Sequence, residues 1–214
     1  MFFNLTPVVK NIIILNVGLF ILQLLFTETI MEPGVGYHKV QLVTEYLSLH
    51  DPRSSDFKPY QLLSHMFLHG GFMHLFFNML WLVFMGPMIE RMFGEKKFLF
   101  FYIVCGIGAA LFYLVTQYYT APNYNYTMLG ASGAVSGILI GTAMYFPNSE
   151  IILFPIPIPV KMKYFVMFYL GYEIFKGCTP AMQTGNVAHF AHIGGALVGF
   201  ILIKIWQKWP SNNW

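Results

Sequence analysis

Long apolar stretches are the feature that most constrains the fold of this chain. Six of them follow one another along the 214 residues, separated by segments that carry the charges and the turn-forming residues. Charged residues make up only 10% of the chain and its mean hydropathy is +0.59, whereas a soluble domain has about 25% charged residues. Most of the surface must therefore face lipid.

The apolar stretches predict an all-α membrane protein, a bundle of six transmembrane helices that forms a single polytopic domain over residues 1–214. The predicted helices, spans one to six, cover residues 10–29, 72–93, 98–118, 131–147, 161–177 and 187–207. Spans four and five are short for a hydrocarbon layer of about 30 Å. No small-residue cleavage site follows span one, which we interpret as a retained helix rather than a signal peptide.

The distribution of Lys and Arg predicts the orientation of the bundle. With the N-terminus inside, the inner segments carry eight basic residues, Lys10, Arg91, Lys96, Lys97, Lys161, Lys163, Lys204 and Lys208. The outer segments carry four, Lys39, Arg53, Lys58 and Lys176. We therefore expect both termini to be cytoplasmic, in an inner or plasma membrane. The basic residues form no stripe or cluster, so no nucleic-acid partner is expected.

The first outer loop, about residues 30–71, is long and unusually apolar. Its apolar residues are Tyr37, Tyr46, Leu47, Leu49, Phe57, Tyr60, Leu62, Leu63, Met66, Phe67 and Leu68. A freely solvated loop would not have this composition. We expect a folded segment that rests in the membrane interface with aromatic anchors.

Polar residues on three spans are predicted to meet at one depth. His74 and Asn78 occupy the first two turns of span two and are stacked at i, i+4. Ser132 lies in the first turn of span four, and His192 lies in the second turn of span six. All three spans run from outside to inside, so these side chains share a layer just below the outer surface. Polar residues at membrane depth are costly and are usually functional.

Glycines explain how two of these spans could approach each other. Span four carries Gly133, Gly137 and Gly141, and span six carries Gly195 and Gly199. Small residues at four-residue spacing let helices pack closely in lipid. Close packing would bring the Ser132 hydroxyl within hydrogen-bond reach of His192. The alternative, that the glycines only pack helices, stays open at this point.

A serine beside a histidine indicates nucleophilic catalysis, because the base takes the hydroxyl proton. The predicted donors to an oxyanion are Asn78, His74 and the backbone N–H of Ser132 at a helix N-terminus. We expect no Asp or Glu beside His192, and hence a dyad rather than a triad. Glu173, near the outer end of span five, lies at a comparable depth and could orient a histidine, but we expect it to have a lateral or structural role.

Three motifs in this order resemble the rhomboid family of intramembrane serine proteases. They are His74-Leu75-Phe76-Phe77-Asn78, Gly130-Ala131-Ser132-Gly133, and Ala191-His192 followed by Gly195 and Gly199. Gly86, Glu90 and Gly94 are also similar to the family. The resemblance covers essentially the whole chain, in the minimal six-helix form.

The resemblance implies a catalytic dyad of Ser132 and His192, assisted by His74 and Asn78, with single-span transmembrane proteins in the bilayer as substrates. It also implies that span five and the loop at about 177–187 control access. Two departures are visible. Tyr60-Gln61 stands where many bacterial members have Trp-Arg, and Ser136 stands where many members carry an aromatic residue on the catalytic histidine.

Two other functions compete with this interpretation. Histidine pairs at His65/His69 and His189/His192 have spacings that a metal could use, but we expect no carboxylate or cysteine to complete a metal or haem site. We therefore expect no cofactor. A small transporter is the second alternative, although the sequence has no inverted repeat. Cys105 and Cys178 are predicted to lie about 20 Å apart in depth, too far for a disulfide.

Overall fold

The structure is a computed structural model that describes residues 5–32, 36–120, 126–152, 158–179 and 188–208. Its α-helices are α1 (Pro7–Leu25), α2 (Leu42–Leu47), α3 (Gln61–Ser64), α4 (Phe72–Phe93), α5 (Glu95–Thr120), α6 (Ser132–Tyr145), α7 (Met162–Cys178) and α8 (His189–Lys208). A 3₁₀ turn, His65–Phe67, follows α3.

Three short antiparallel pairs of strands accompany the helices in the described residues. Strand β1 (Thr27–Glu32) pairs with β2 (Gly36–Gln41), β3 (Leu49–His50) with β4 (Thr127–Met128), and β5 (Glu150–Ile152) with β6 (Pro159–Lys161). The β3–β4 pair joins the first outer loop to the segment that leads into α6. It thereby ties that loop to the residues just before Ser132.

Each predicted span corresponds to one of the helices α1, α4, α5, α6, α7 and α8, so the all-α membrane bundle is confirmed. Four of the described helices are long and apolar enough to cross a membrane, namely α1, α4, α5 and α8. Helix α6 has 14 residues and α7 has 17. The count of six spans therefore stays a prediction.

The first helix begins and ends earlier than predicted. It covers Pro7–Leu25 rather than residues 10–29, because Pro7 suits the first helical position. The carboxylate of Glu90 on α4 caps this end, accepting hydrogen bonds from Thr6 Oγ1 at 2.5 Å and from the Val9 N–H at 2.8 Å. These bonds satisfy helix donors that would otherwise be unpaired and fix α1 against α4.

The first outer loop is folded against the bundle. Leu49, Met66 and Leu68 are completely buried. Gln61 ties the loop together: its side-chain oxygen accepts from the Lys58 N–H at 3.0 Å, and its amide donates to the Asp56 carbonyl at 3.0 Å. This buried glutamine supplies the anchoring at the Tyr60-Gln61 position.

Helix α6 is the most enclosed helix, and its glycine seam lies against α5 and α8. A Cβ at Gly199 of α8 would lie 2.9 Å from the Gly137 Cα of α6, and one at Gly195 would overlap the Gly133 carbonyl. Neither position therefore has room for a side chain. The predicted close packing between spans four and six is confirmed, and it brings the first turns of α6 and α8 together.

Candidate active site

Ser132 and His192 meet at the outer end of the α6–α8 seam. The Nε2 atom of His192 lies 2.8 Å from the Ser132 hydroxyl oxygen, which is hydrogen-bond distance. The His192 side chain is 14% exposed, so the pair is largely enclosed by protein. The close approach follows from the glycine seam below it, and it is the geometry that a general base needs to activate a serine.

His74 lies beside the same serine, against Gly130. Gly130 has a positive φ of 128° and so favours glycine. A Cβ there would lie 2.9 Å from His74 Nε2 and 3.5 Å from the Ser132 hydroxyl oxygen. The His74 ring and the Ser132 hydroxyl therefore border one small space. The His65 carbonyl accepts the Gly130 N–H at 2.8 Å and holds this turn in place.

Asn78 lies one turn further along α4 and is buried. Its side-chain nitrogen donates to the His74 carbonyl at 2.9 Å, so one of its two amide hydrogens is already engaged. The backbone N–H groups of Ser132, Gly133 and Ala134 belong to the first turn of α6, where an α-helix has no internal acceptors for them.

Glu173 lies beside His192, so the prediction that no acid accompanies this histidine was wrong. Its Oε2 atom is 3.0 Å from His192 Nδ1 and 2.7 Å from His189 Nδ1. The His189 contact is a hydrogen bond, whereas the buried His192 Nδ1 has no directed hydrogen bond despite the short distance. Packing of α7 on α8 brings the three side chains together, which spacing along the chain could not reveal.

The same cluster corrects the expectation about metal ligands. Three ligand atoms, one each from Glu173, His189 and His192, lie within 4.8 Å of one another. The Glu173 carboxylate therefore completes a set of three potential metal ligands with His189 and His192. The pair His65 and His69, by contrast, is buried within the folded first loop, and His65 Nδ1 lies 2.9 Å from the Gln61 carbonyl oxygen.

Comparison with known proteins identifies the family. Residues 56–208 match the family model described as the Rhomboid domain, and this range contains Ser132, His192, His74 and Asn78. The chain belongs to the rhomboid family. Together with its four long apolar helices, this makes it a multi-pass integral membrane protein.

Three of the rhomboid relatives come from Providencia stuartii, Arabidopsis thaliana and Haemophilus influenzae. The chain is 36% identical over 148 residues to Rhomboid protease AarA of Providencia stuartii, covering 64% of this chain and 52% of that protein. It is 33% identical over 156 residues to RHOMBOID-like protein 4 of Arabidopsis thaliana, covering 72% and 36%. It is 30% identical over 159 residues to Rhomboid protease GlpG of Haemophilus influenzae, covering 74% and 75%. The chain therefore spans about half or less of the length of the first two relatives.

An aromatic residue lies near His192 in this rhomboid chain, although position 136 itself is occupied by a serine. Tyr169 on α7 places its ring 6.4 Å from the His192 ring, between centroids. Its hydroxyl lies 2.7 Å from the Ser136 hydroxyl, which in turn donates to the Ser132 carbonyl at 2.8 Å. Sequence reasoning missed Tyr169, although its position four residues before Glu173 puts both on one face of α7.

The contact between α7 and α4 is aromatic. Phe165 of α7 stacks on Trp81 of α4 with a centroid distance of 5.0 Å. Phe168 and Tyr172 are 76% and 48% exposed, so they face outwards. Residues 180–187 of the loop expected to control access lie outside the described residues.

A buried acid, Asp51, fastens the first loop to the segment that precedes α6. Asp51 accepts hydrogen bonds from Arg53 Nε at 2.8 Å and Nη2 at 2.7 Å, and from the hydroxyl of Tyr126. The Arg53 guanidinium holds the pKa of the Asp51 carboxyl well below its ordinary value. Burial and the Asp51 contact raise the pKa of Tyr126 to about 12. This network links the first loop to the segment before Ser132.

Proposed function

We propose that this rhomboid-family chain is an intramembrane serine endopeptidase, in which Ser132 is the nucleophile and His192 is the general base. The observation that carries the proposal is the 2.8 Å contact between the Ser132 hydroxyl and His192 Nε2. The relatives named Rhomboid protease AarA and Rhomboid protease GlpG support the same reaction class.

The reaction begins when Ser132 attacks the scissile carbonyl and His192 Nε2 takes the hydroxyl proton. His192 then gives this proton to the leaving amine, which leaves an acyl-enzyme on Ser132. Water attacks the ester, again with His192 as base, and releases the second product. His192 Nε2 can accept a proton only when its own proton is on Nδ1, the atom that lies 3.0 Å from Glu173.

Glu173 is therefore a positioning residue in this proposal. A carboxylate beside Nδ1 favours the tautomer that leaves Nε2 free, and it stabilises the imidazolium that forms during attack. The same carboxylate oxygen accepts a hydrogen bond from His189 at 2.7 Å, which fixes its direction.

Donors to the oxyanion come from two helices. The backbone N–H of Ser132 lies at the N-terminus of α6, where the helix dipole favours negative charge. Asn78 offers its second amide hydrogen, and the His74 ring borders the space next to the Ser132 hydroxyl. One such donor is typically worth about 3 kcal/mol, or about 10²-fold in rate.

The proposed substrates are single-span transmembrane proteins cleaved near the outer face of the membrane. A transmembrane helix hides its peptide bonds in backbone hydrogen bonds, so only a segment that unwinds easily presents a carbonyl to Ser132. Cleavage near small residues, favoured by Gly or Pro, follows from this requirement. Equal cleavage of two matched substrates, one with a Gly/Pro outer segment and one all-Leu, would refute selection by unwinding.

The membrane placement belongs to the same proposal. Basic residues concentrate in the inner segments, which supports cytoplasmic termini in an inner or plasma membrane and a site near the outer face. The whole chain acts as one polytopic domain.

Covalent labelling tests the proposed nucleophile directly. A fluorophosphonate should modify Ser132 in the purified wild-type protein, because an activated serine attacks phosphorus. Ser132→Ala should remove labelling, and His192→Ala should slow it at least 100-fold. Labelling of another serine with Ser132 unmodified would contradict the assignment.

A further inference from the structure

We propose that Glu173, His189 and His192 form a binding site for a divalent zinc-like cation, and that the bound ion inhibits the enzyme. The site itself follows from the geometry of α7 and α8. The inhibitory effect rests on the proposed function, because it requires His192 to be the general base.

The three side chains supply a suitable ligand set. Two imidazole nitrogens and one carboxylate oxygen are a recurring zinc set, with bond lengths of about 2.0–2.2 Å. Ligand atoms around such an ion sit a little over 3 Å apart by tetrahedral geometry. Here the Glu173 oxygen lies 2.7 Å from His189 Nδ1 and 3.0 Å from His192 Nδ1. All three ligand atoms lie within 4.8 Å of one another. To admit the ion, the two oxygen–nitrogen distances must lengthen by roughly half an ångström.

The unsatisfied Nδ1 atom of His192 is a second observation that points to a ligand. It is buried and makes no directed hydrogen bond, although the carboxylate oxygen is nearby. A buried polar atom in poor hydrogen-bond geometry lacks the stabilisation that a well-directed partner would give. Coordination to a cation would satisfy this atom, the Glu173 charge and the His189 nitrogen at once.

Binding at Nδ1 changes what His192 can do for Ser132. A neutral imidazole coordinated through Nδ1 carries its proton on Nε2, the atom 2.8 Å from the Ser132 hydroxyl. Nε2 then donates to Ser132 instead of accepting its proton, so the serine loses its base. The ion would also link Glu173 of α7 to α8, which restrains the helix expected to move for substrate entry.

The test for the site uses zinc binding by the Ser132→Ala protein, which keeps all three ligands but lacks the nucleophile. The purified, metal-depleted protein in detergent is titrated with ZnCl₂ in competition with a fluorescent chelator. We expect one zinc ion per chain, and at least tenfold weaker binding when His189→Ala or Glu173→Gln is added. Cys178→Ser is the matched control, because this exposed free thiol could bind zinc on its own. It should leave the affinity unchanged.

The test for inhibition uses the wild-type protein and a generic transmembrane substrate. Zinc should lower its cleavage rate at least tenfold and EDTA should restore it, whereas His189→Ala should need at least tenfold more zinc for half-inhibition. Absence of zinc binding by Ser132→Ala, or equal binding after loss of His189, would overturn the site. Binding without inhibition of an active wild-type protein would overturn the regulatory effect. If the wild-type protein cleaves nothing, the proposed function fails while the binding titration still decides the site.

Discussion

The hydroxyl of Tyr169 on α7 lies 2.7 Å from the hydroxyl of Ser136 on α6, one turn below Ser132. This bond fixes the Tyr169 ring near His192. The resemblance to the rhomboid family implies an aromatic residue at the Ser136 position in many members. In this chain the small Ser136 leaves room for an aromatic residue from a different helix, so the support of the histidine comes from α7.

Removing the Tyr169 ring should impair catalysis more than removing its hydroxyl. Tyr169→Phe loses one hydrogen bond, worth about 1 kcal/mol, and should lower kcat by no more than about fivefold. Tyr169→Ala also loses the ring beside His192 and should lower kcat at least tenfold. Steady-state cleavage rates check both, with thermal unfolding to confirm that the variants are folded. A folded Tyr169→Ala protein with wild-type kcat would show that the ring does not support His192.

Replacing the acid beside His192 should reduce kcat with little change in KM. Glu173→Gln keeps the shape of the side chain but removes its charge, so the imidazolium that forms on His192 during attack loses the carboxylate 3.0 Å from its Nδ1 atom. We expect kcat to fall about 10- to 100-fold. Glu173→Asp, which restores the charge, should recover part of the loss. If kcat were unchanged in Glu173→Gln, the carboxylate would have no positioning role.

The Trp81–Phe165 stack is expected to keep α7 closed against α4. Phe165→Ala removes this contact and should raise the cleavage rate a few-fold, provided that substrate entry limits the rate. Phe168→Ala is the matched control, because its ring is 76% exposed and faces outwards. The two variants are compared on one substrate at equal protein concentration. A larger increase for Phe168→Ala than for Phe165→Ala would place the controlling contact elsewhere.

Acid should destabilise the folded loop below the ordinary pKa of histidine. Burial lowers the pKa of His65 to about 4 and that of His69 to about 3, so both stay neutral in the folded protein while the unfolded chain becomes protonated. The contribution of these histidines to the free energy of unfolding is fully present above their pKa in the unfolded chain, about 6.5. It is lost as the pH falls towards their pKa in the folded protein, at about 1.4 kcal/mol per pH unit for each histidine.

A single variant tests this pH dependence. His65→Gln does not titrate, and it should reduce the loss of unfolding free energy between pH 6.5 and pH 5 by roughly 2 kcal/mol. Denaturant unfolding at several pH values measures how the free energy of unfolding changes with pH. A packing cost of the glutamine that is the same at every pH does not affect this slope. The same slope in wild type and His65→Gln would mean that His65 is not held neutral.

The sequence allowed correct predictions wherever a local pattern determined the structure. Apolar length predicted the long helices, and the glycine spacing of α6 and α8 predicted the contact between Ser132 and His192. Glu173 and Tyr169 could not be assigned, because their roles depend on how α7 is rotated against α8. Packing of many side chains sets that rotation, and no regular spacing of residues in the sequence indicates how α7 is turned. The predicted end of α1 was too late, because residues 27–29 are Thr-Glu-Thr, which are polar and belong to strand β1.

The central claim is that Ser132 and His192 together hydrolyse peptide bonds, and cleavage by purified protein tests it most directly. The wild-type protein in detergent should cleave a generic transmembrane substrate. Ser132→Ala and His192→Ala should each remove this activity while keeping the thermal unfolding profile of the wild type. Residual cleavage within tenfold of wild type in either folded variant would contradict the assignment.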